Sequence, residues 1–205
     1  MKIKAVTLLE LLIALALMSL VVLASASIEV FSRHTVINSD RKAQVQNEIT
    51  SVLEHIGKNV KRAVGDQSAP PASQPLQLIG APVNGFKIQV DPNTPVTPGN
   101  YQDDIWLTYT LTGNNLTFGC QDPNVGMGAA CPSSETLSTH IIPGVVAGRL
   151  SDFSLAGGFF VYIEYYGSLV EVGLQGRYDP NAAASRDNPQ VNLKSRFLTR
   201  SSSLK

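Results

Sequence analysis

Glu10 is the residue whose chemistry stands out first, because it is the only charged side chain between Ala5 and Ile28. A carboxylate near the start of such an apolar stretch costs ~2.5 to 3.5 kcal/mol on scales of membrane insertion. A cationic partner inside the membrane or inside an assembly would offset that cost, since two buried charges that are unfavourable alone become tolerable as a pair. Glu10 therefore predicts a binding partner and argues against a disposable signal.

The histidines and two serines are the residues whose types could support catalysis or metal binding. His34, His55 and His140 have no Cys/His cluster or HExxH motif around them, so the sequence predicts no zinc site. Ser133 and Ser134 precede His140 and raise the alternative of an exported hydrolase, but no G-x-S-x-G motif accompanies them. We expect a protein that is not an enzyme.

Composition limits the remaining classes. The chain has 205 residues, with 16 Lys plus Arg against 16 Asp plus Glu, and this zero net charge disfavours a protein built mainly to bind nucleic acid. Hydrophobic residues make up 43% and charged residues 16%, which excludes disorder for most of the chain. Two cysteines are too few for a disulfide-dense scaffold or a zinc site.

The apolar stretch around Glu10 is long enough to cross a bilayer. A helix from Ala5 to Ile28 would span roughly 36 Å at ~1.5 Å per residue. Lys2 and Lys4 precede it and mixed charges follow it, so the positive-inside rule keeps the N-terminus in the cytoplasm and exports the rest. Ala24-Ser25-Ala26 fits a secretory cleavage site, which leaves a removed signal peptide as an alternative that Glu10 argues against.

The segment KAVTLLELLIAL, Lys4 to Leu15, resembles the class III signal of type IV prepilins and type II secretion prepseudopilins. The resemblance implies that prepilin peptidase cuts between Ala5 and Val6, that the Val6 amine is N-methylated, and that the helix stays on the mature protein. The family prefers Gly before the cut and often has Phe after it, so Ala5 and Val6 predict slower processing.

The same resemblance assigns assembly roles to Thr7 and Glu10, which stand two and five places after the cut. In the family, the acidic residue pairs with the N-terminal amine of a neighbouring subunit as the filament assembles. This pairing would give Glu10 the cationic partner that its position requires and would fix axial register.

Apolar residues continue at helical spacing beyond the membrane segment. They are Ile28, Phe31, Ile37, Val45, Ile49, Leu53, Ile56, Val60 and Val64. They predict one helix from about Val6 to about Val64, with Gly65 as its stop. The charged residues between them predict a solvated face: Arg41, Lys42, Glu48, Glu54, Lys58, Lys61 and Arg62.

The rest of the chain predicts a β-rich head. Proline-rich residues 66–84 predict a connecting loop. Alternating or β-branched segments predict strands: around Phe86 to Val90, Ile105 to Thr112, Leu116 to Phe118, Phe159 to Tyr166, Ser168 to Tyr178, and Val191 to Phe197, with His140 in a further strand-like run. The expected class is α+β, with a long N-terminal helix packed on an antiparallel sheet in a pilin-like lollipop.

The expected division is a leader at 1–5, a transmembrane and filament-core helix at 6–28, an amphipathic helix at 29–65 and a globular head at 66–205. The strand order and the segments TGNNLTF, GRYDP and SRFLTR resemble the PilW and pseudopilin J branch of the family.

Cys120 and Cys131 lie in the part of the chain that is expected to be exported. In an oxidising compartment they can close a loop worth roughly 2 to 4 kcal/mol, so a disulfide is expected and a catalytic or metal-binding thiol pair is the lesser alternative.

Asp-Pro-Asn occurs at 91–93, 122–124 and 179–181 and predicts turns, because Pro presets φ while Asp and Asn bond nearby backbone. Their oxygens leave Ca²⁺ as an alternative ligand, but no dedicated loop is present and no cofactor is expected. GMGAA at 126–130 matches a phosphate loop only weakly and predicts a loop tip.

The C-terminal segment holds a modest basic patch of Lys194, Arg196, Arg200 and Lys205 around Phe197. DNA contact is an alternative, but four charges bind weakly at physiological salt, so we expect a solvated strand face and no nucleic-acid partner.

The resemblance as a whole implies a minor pilin or minor pseudopilin that helps to initiate or cap a type IV pilus or type II secretion pseudopilus. It would be a single-pass inner-membrane protein with its head in the periplasm or outside. Its expected partners are other minor and major pilins or pseudopilins, prepilin peptidase and the inner-membrane assembly platform. The alternatives are a membrane-anchored periplasmic binding module that does not polymerise and a competence pseudopilin for DNA uptake.

Overall fold

A computed structural model describes residues 7–65, 74–92, 103–121, 131–148, 157–164 and 167–199. The chain divides into two units, residues 1–40 and residues 41–205. One long helix, α1, runs from Leu8 to Val60. It ends four residues before the predicted Val64, because Ala63 forms a β-bridge with Val90 instead of a further helical turn. The fold is α+β.

In the first unit, α1 carries apolar side chains that are all exposed. They range from Leu8 at 78% exposed to Ile37 at 50%. The predicted apolar stripe is therefore not buried within the chain at Ile28, Phe31 and Ile37.

The second unit contains two sheets. The first has five antiparallel strands in the order β1-β2-β3-β4-β5. They are β1 (Leu76–Ile79), β2 (Gly85–Val90), β3 (Ile105–Thr112), β4 (Asn115–Gln121) and β5 (Glu135–Ser138). β1 lies inside the segment that we predicted to be a loop, because its short apolar run pairs with β2, from Leu76 opposite Ile88 to Ile79 opposite Gly85.

The second sheet has four strands in the order β6-β7-β8-β9. They are β6 (Val145–Ala147), β7 (Phe159–Glu164), β8 (Leu169–Arg177) and β9 (Gln190–Leu198). The strand pairings are antiparallel as predicted except that β6 pairs parallel to β7, and the strands form two sheets instead of one. The predicted hairpin around Gly167 and the predicted last strand are both present as β7, β8 and β9.

The core of this unit forms between both sheets and the second half of α1. The helix contributes six side chains that are at most 8% exposed: Val45, Ile49, Val52, Leu53, Ile56 and Val60. Two glycines allow close packing: a Cβ on Gly176 of β8 would lie 2.7 Å from Ile49, and one on Gly57 of α1 would lie 2.6 Å from Phe197 of β9. The apolar stripe from Val45 to Val60 is thus the part of the helix that the sheets cover.

Candidate functional site

Thr7 and Glu10 form a capping box at the start of α1. The Thr7 hydroxyl accepts a hydrogen bond from the Glu10 backbone N–H at 3.3 Å, and Oε2 of Glu10 accepts from the N–H and the hydroxyl of Thr7, both at 3.4 Å. These bonds satisfy backbone N–H groups that the first helical turn leaves without partners. The capping role was not part of our interpretation of the sequence, although the Thr-x-x-Glu spacing is its known signature. Ala5 and Val6 lie outside the described residues.

The hydroxyls in the apolar half of α1 are satisfied by the helix itself. Ser19 donates to the carbonyl of Ala16 at 2.7 Å, and Ser25 and Ser27 donate to the carbonyls four residues before them at 2.9 Å. Such internal bonds remove the need for water as a partner, which suits a helix in lipid or in a dry assembly. By its length and composition, α1 could span a membrane.

Cys120 and Cys131 form a disulfide with their Cα atoms 5.6 Å apart, as expected. Cys120 lies in β4, and Cys131 opens the extended segment that leads into β5. The bond therefore fixes the approach to β5 beside a groove in the second unit.

The groove has a volume of about 460 Å³ and lies between the end of α1 and the strands of the first sheet. Its apolar lining comes from Val90, Ile105, Leu107 and Phe118. Its polar lining comes from His55, Asn59, Arg62, Ser133 and Glu135. Polar groups make up the larger part of this lining, unlike the mostly apolar lining of a typical small-molecule site.

A polar cluster forms beside this groove around the buried Tyr109. Asn59 donates to the Tyr109 hydroxyl at 2.7 Å, and that hydroxyl lies 3.0 Å from Nδ1 of His55. Burial lowers the pKa of His55, and Glu135, at 3.9 Å from Nε2, opposes the shift. Burial also raises the pKa of Tyr109. Both shifts favour the neutral forms, in which the Tyr109 hydroxyl can donate a hydrogen bond to Nδ1 of His55.

Asp104 is a buried carboxyl outside the groove. Burial, with the nearby charges of Asp91 and Asp103, raises its pKa to about 7, although a hydrogen bond from Gln89 at 2.8 Å opposes the shift. Its other oxygen, Oδ1, is buried and has no hydrogen-bond partner among the described residues, and the same holds for Oε1 of Gln89. Nothing in the sequence pattern predicted this group; the only signal was two adjacent acids, Asp103 and Asp104, directly before an apolar strand.

Glu48 and His140 form a pair that ties α1 to the segment after β5. Oε2 of Glu48 lies 2.8 Å from Nδ1 of His140, and Oε1 accepts the Thr139 N–H at 3.1 Å. The prediction of a solvated face is wrong at Glu48, because its carboxylate is three-quarters buried and is held by His140 and the Thr139 N–H. His140 itself is not in a strand; it lies between β5 and the bridge residue Ile141. Neither Ser133 nor Ser134 hydrogen-bonds to His140 within the described residues.

The segment after β8 is an ordered loop. The backbone N–H of Asn181 donates to Oδ1 of Asp179 at 3.1 Å, so Asp-Pro-Asn at 179–181 is a turn, as predicted. Asn188 closes the loop by donating to the Asp179 carbonyl at 2.8 Å and accepting its N–H at 2.9 Å. Of the other copies, Asp91 and Pro92 follow β2, whereas residues 93 and 122–124, and the glycine-rich 126–130, lie outside the described residues.

The basic residues of β9 have one acidic partner. Arg196 Nε lies 2.8 Å from Oε2 of the buried Glu171 in β8, and Lys194 Nζ lies 3.9 Å from its Oε1. Arg200 and Lys205 lie outside the described residues. His34 is exposed on α1, and within the described ranges no group of three or more His, Cys, Asp or Glu residues is placed to hold a metal ion.

Comparison with models of protein families, with curated proteins and with solved structures finds no match for this chain. The resemblance in residues 4–15 therefore stands on the sequence motif alone.

Proposed function

We propose that this chain is a minor pilin or minor pseudopilin, a structural subunit that helps to initiate or cap a type IV pilus or a type II secretion pseudopilus. The observation that carries the proposal is the first half of α1. Its apolar side chains from Leu8 to Ile37 are half to four-fifths exposed, and a protein that stayed monomeric in water would not leave so large an apolar surface uncovered. A membrane before assembly and neighbouring helices after it would each cover that surface.

Glu10 supports the same proposal. Among the residues that the structure describes, the hydrogen bonds of its carboxylate come from Thr7, at distances of 3.4 Å that leave it open to a stronger partner. The amine of a neighbouring processed subunit, at Val6, would be such a partner, and the charge pair would fix the axial position of one helix against the next.

The second unit fits the role of a head outside the membrane. It holds a disulfide, which forms and persists in oxidising compartments and is rare in the cytosol. In this proposal the first five residues are removed on the cytoplasmic side, the head is exported and the helix remains as the anchor. The partners would be other pilins or pseudopilins, prepilin peptidase and the assembly platform.

The proposal is tested by the N-terminal sequence and mass of the protein from native membranes, with and without prepilin peptidase. We expect a mature chain that begins at N-methylated Val6 only when the peptidase is present. A chain that begins after Ala24 or Ala26, or that keeps Met1 in both strains, would contradict the filament function.

A substitution at Glu10 separates its two roles. Glu10→Gln keeps the capping box, because Gln can replace Glu in that motif, but it removes the charge. We expect Glu10→Gln to abolish incorporation into sheared filaments while the protein still accumulates in the membrane. Glu29→Gln is the matched control, since Glu29 is an exposed carboxylate on the same helix that already pairs with Arg33. Equal incorporation of all three proteins would exclude a role for the Glu10 charge.

A second candidate function is a membrane-anchored binding module that does not polymerise. The groove beside His55 and Glu135 is the observation that favours it. Filament incorporation separates the two candidates, because an anchored module would tolerate Glu10→Gln without any loss of function.

A further inference from the structure

The edges of the two sheets differ strongly in length. β1 and β5, at the edges of the first sheet, have four residues each, and β6 at one edge of the second sheet has three. β9, at the remaining edge, has nine residues and pairs with β8 throughout. Within the described residues, no strand pairs with its other side. Proteins usually keep edge strands short, because an unpaired row of N–H and C=O groups is a template for another strand.

The register shows which backbone groups of β9 are free to bond outward. Thr199 N–H donates to the Ser168 carbonyl at 2.9 Å, so this opposed pair is a hydrogen-bonded one. Hydrogen-bonded pairs alternate along an antiparallel ladder. The residues of β9 that bond β8 are therefore Val191, Leu193, Ser195 and Phe197. Those whose N–H and C=O groups point away from β8 are Asn192, Lys194, Arg196 and Leu198.

Nothing in β9 interrupts this outward row. The strand contains no proline, and its pairing with β8 shows no register shift from Gln190 to Leu198. The side chains of the outward residues Asn192, Lys194, Arg196 and Leu198 are exposed. The inward face is fixed by core packing, with Val191 buried and the Phe197 ring against Gly57 of α1. An edge that is already paired along its whole length on one side needs little ordering when a strand is added to the other.

Charge selects the partner. Lys194 and Arg196 are 53% and 59% exposed, and both share the single carboxylate of Glu171. An antiparallel pairing of β9 with a second copy of itself would bring these cations together, and like charges on opposed strands are unfavourable. A strand with acidic residues at alternate positions would instead place a carboxylate beside each cation. The same two residues thus oppose self-association and favour an acidic partner.

We propose that the outer edge of β9 is a docking site for an extended, acidic segment of another protein, bound by strand addition. The inference does not depend on the filament function, because it applies equally to a filament head and to an anchored binding module.

The test uses the full chain in detergent micelles and synthetic peptides with a fluorescent label. One nine-residue peptide alternates Glu with Val, and its matched control alternates Lys with Val. Fluorescence anisotropy should show that the Glu peptide binds at least about tenfold more tightly than the Lys peptide, with an affinity that falls as salt is added. Absence of binding by the Glu peptide, or equal binding of the two, would overturn the proposal.

A pair of variants at one position tests the backbone contribution. Lys194→Pro removes an outward N–H and leaves the bonds to β8, whereas Lys194→Thr removes the same charge and keeps the N–H. We expect the Pro variant to bind the Glu peptide about five- to tenfold more weakly than the Thr variant, the loss expected for one hydrogen bond at a strand edge. Equal binding by the two variants would exclude strand addition. Asn192→Pro against Asn192→Thr repeats the comparison if Lys194→Pro does not show a cooperative melt.

Discussion

Glu48 and His140 are 92 residues apart in sequence, yet Oε2 of one lies 2.8 Å from Nδ1 of the other. Because the second oxygen of Glu48 also accepts the Thr139 N–H, one carboxylate on α1 binds the segment after β5 at two points. About a quarter of its side chain is exposed, so water screens this pair less than a surface pair. The segment that Glu48 holds runs from β5 of the first sheet to Ile141, which forms a bridge with Gly176 of β8, so the contact fixes the helix against the connection between the two sheets.

We expect Glu48→Ala to lower the free energy of unfolding by about 1 to 2 kcal/mol, because it leaves the Thr139 N–H without an acceptor and His140 without its partner. Urea unfolding followed by the fluorescence of Trp106, the single tryptophan, measures the change. Glu54→Ala, at an exposed position of the same helix, should change the value by less than about 0.5 kcal/mol. A double-mutant cycle with His140→Ala that shows no coupling energy would contradict the pairing.

Removal of the disulfide should destabilise the second unit. Cys120 and Cys131 close a short loop, and the loss of such a bond costs about 2 to 4 kcal/mol, mainly through the added freedom of the unfolded chain. The double variant Cys120→Ser with Cys131→Ser should melt ~5 to 15 °C below the wild type in a thermal scan. A reducing agent should lower the melting temperature of the wild type and leave that of the variant unchanged. An effect of the same size on both would show that the reductant acts elsewhere.

Asp104 should make stability fall as the pH rises. Its pKa is raised to about 7 in the folded protein from 3.8, so the folded state holds a proton that the unfolded chain releases in this window. The stabilisation is complete below about pH 4 and is lost as the pH rises through about 7. Asp104→Asn keeps an acceptor for Gln89 and cannot ionise.

Because other carboxylates titrate as well, the quantity to measure is the difference in melting temperature between Asp104→Asn and the wild type. Between pH 4.5 and pH 7.5, the melting temperature of Asp104→Asn should rise by ~5 °C relative to that of the wild type. The same difference at both pH values would show that Asp104 ionises in the folded protein as it does in the unfolded chain.

Gly57 should be intolerant of a side chain because of Phe197. Ala is ordinarily better than Gly inside a helix by about 1 kcal/mol, but a Cβ at this position would lie 2.6 Å from Cε1 of Phe197. We expect Gly57→Ala to destabilise the protein by about 1 to 2 kcal/mol in urea unfolding, since the clash outweighs the gain in helix propensity. In a Phe197→Leu background the same change should be neutral or stabilising. A loss of equal size in both backgrounds would mean that the Phe197 ring is not the obstacle.

The sequence predicted those parts of the fold that repeat a local pattern. Residues 105–112 were predicted as a strand with the same bounds as β3, and Val45, Ile49, Leu53, Ile56 and Val60 are buried at the predicted helical spacing. β5 was missed because its four residues, Glu-Thr-Leu-Ser, carry no strong apolar alternation and depend on pairing with β4. β6, with three residues, is shorter than any window that reveals a period.

Long-range polar contacts were beyond the reach of the sequence. In the sequence, Glu48 occupies a polar position of the helical pattern, as a solvated residue would. Its contact with His140 forms only when the chain folds. The polar cluster beside the groove left a weak trace, since His55 and Asn59 are four residues apart and thus lie on one side of the helix. Tyr109, which joins them, stands 50 residues beyond Asn59 in a strand. The disulfide was predictable because the two cysteines had no other partners to choose from.

The Tyr109 hydroxyl has a mechanical consequence. Apolar surfaces slide over one another at small cost because no single contact fixes their position, but this hydroxyl bonds two residues one helical turn apart, Asn59 and His55. A shift of α1 along its axis would break both bonds and leave the buried Tyr109 hydroxyl and Asn59 amide without these partners. A force that pulls α1 along its axis therefore acts on β3 through these bonds, and the helix resists sliding over the sheet.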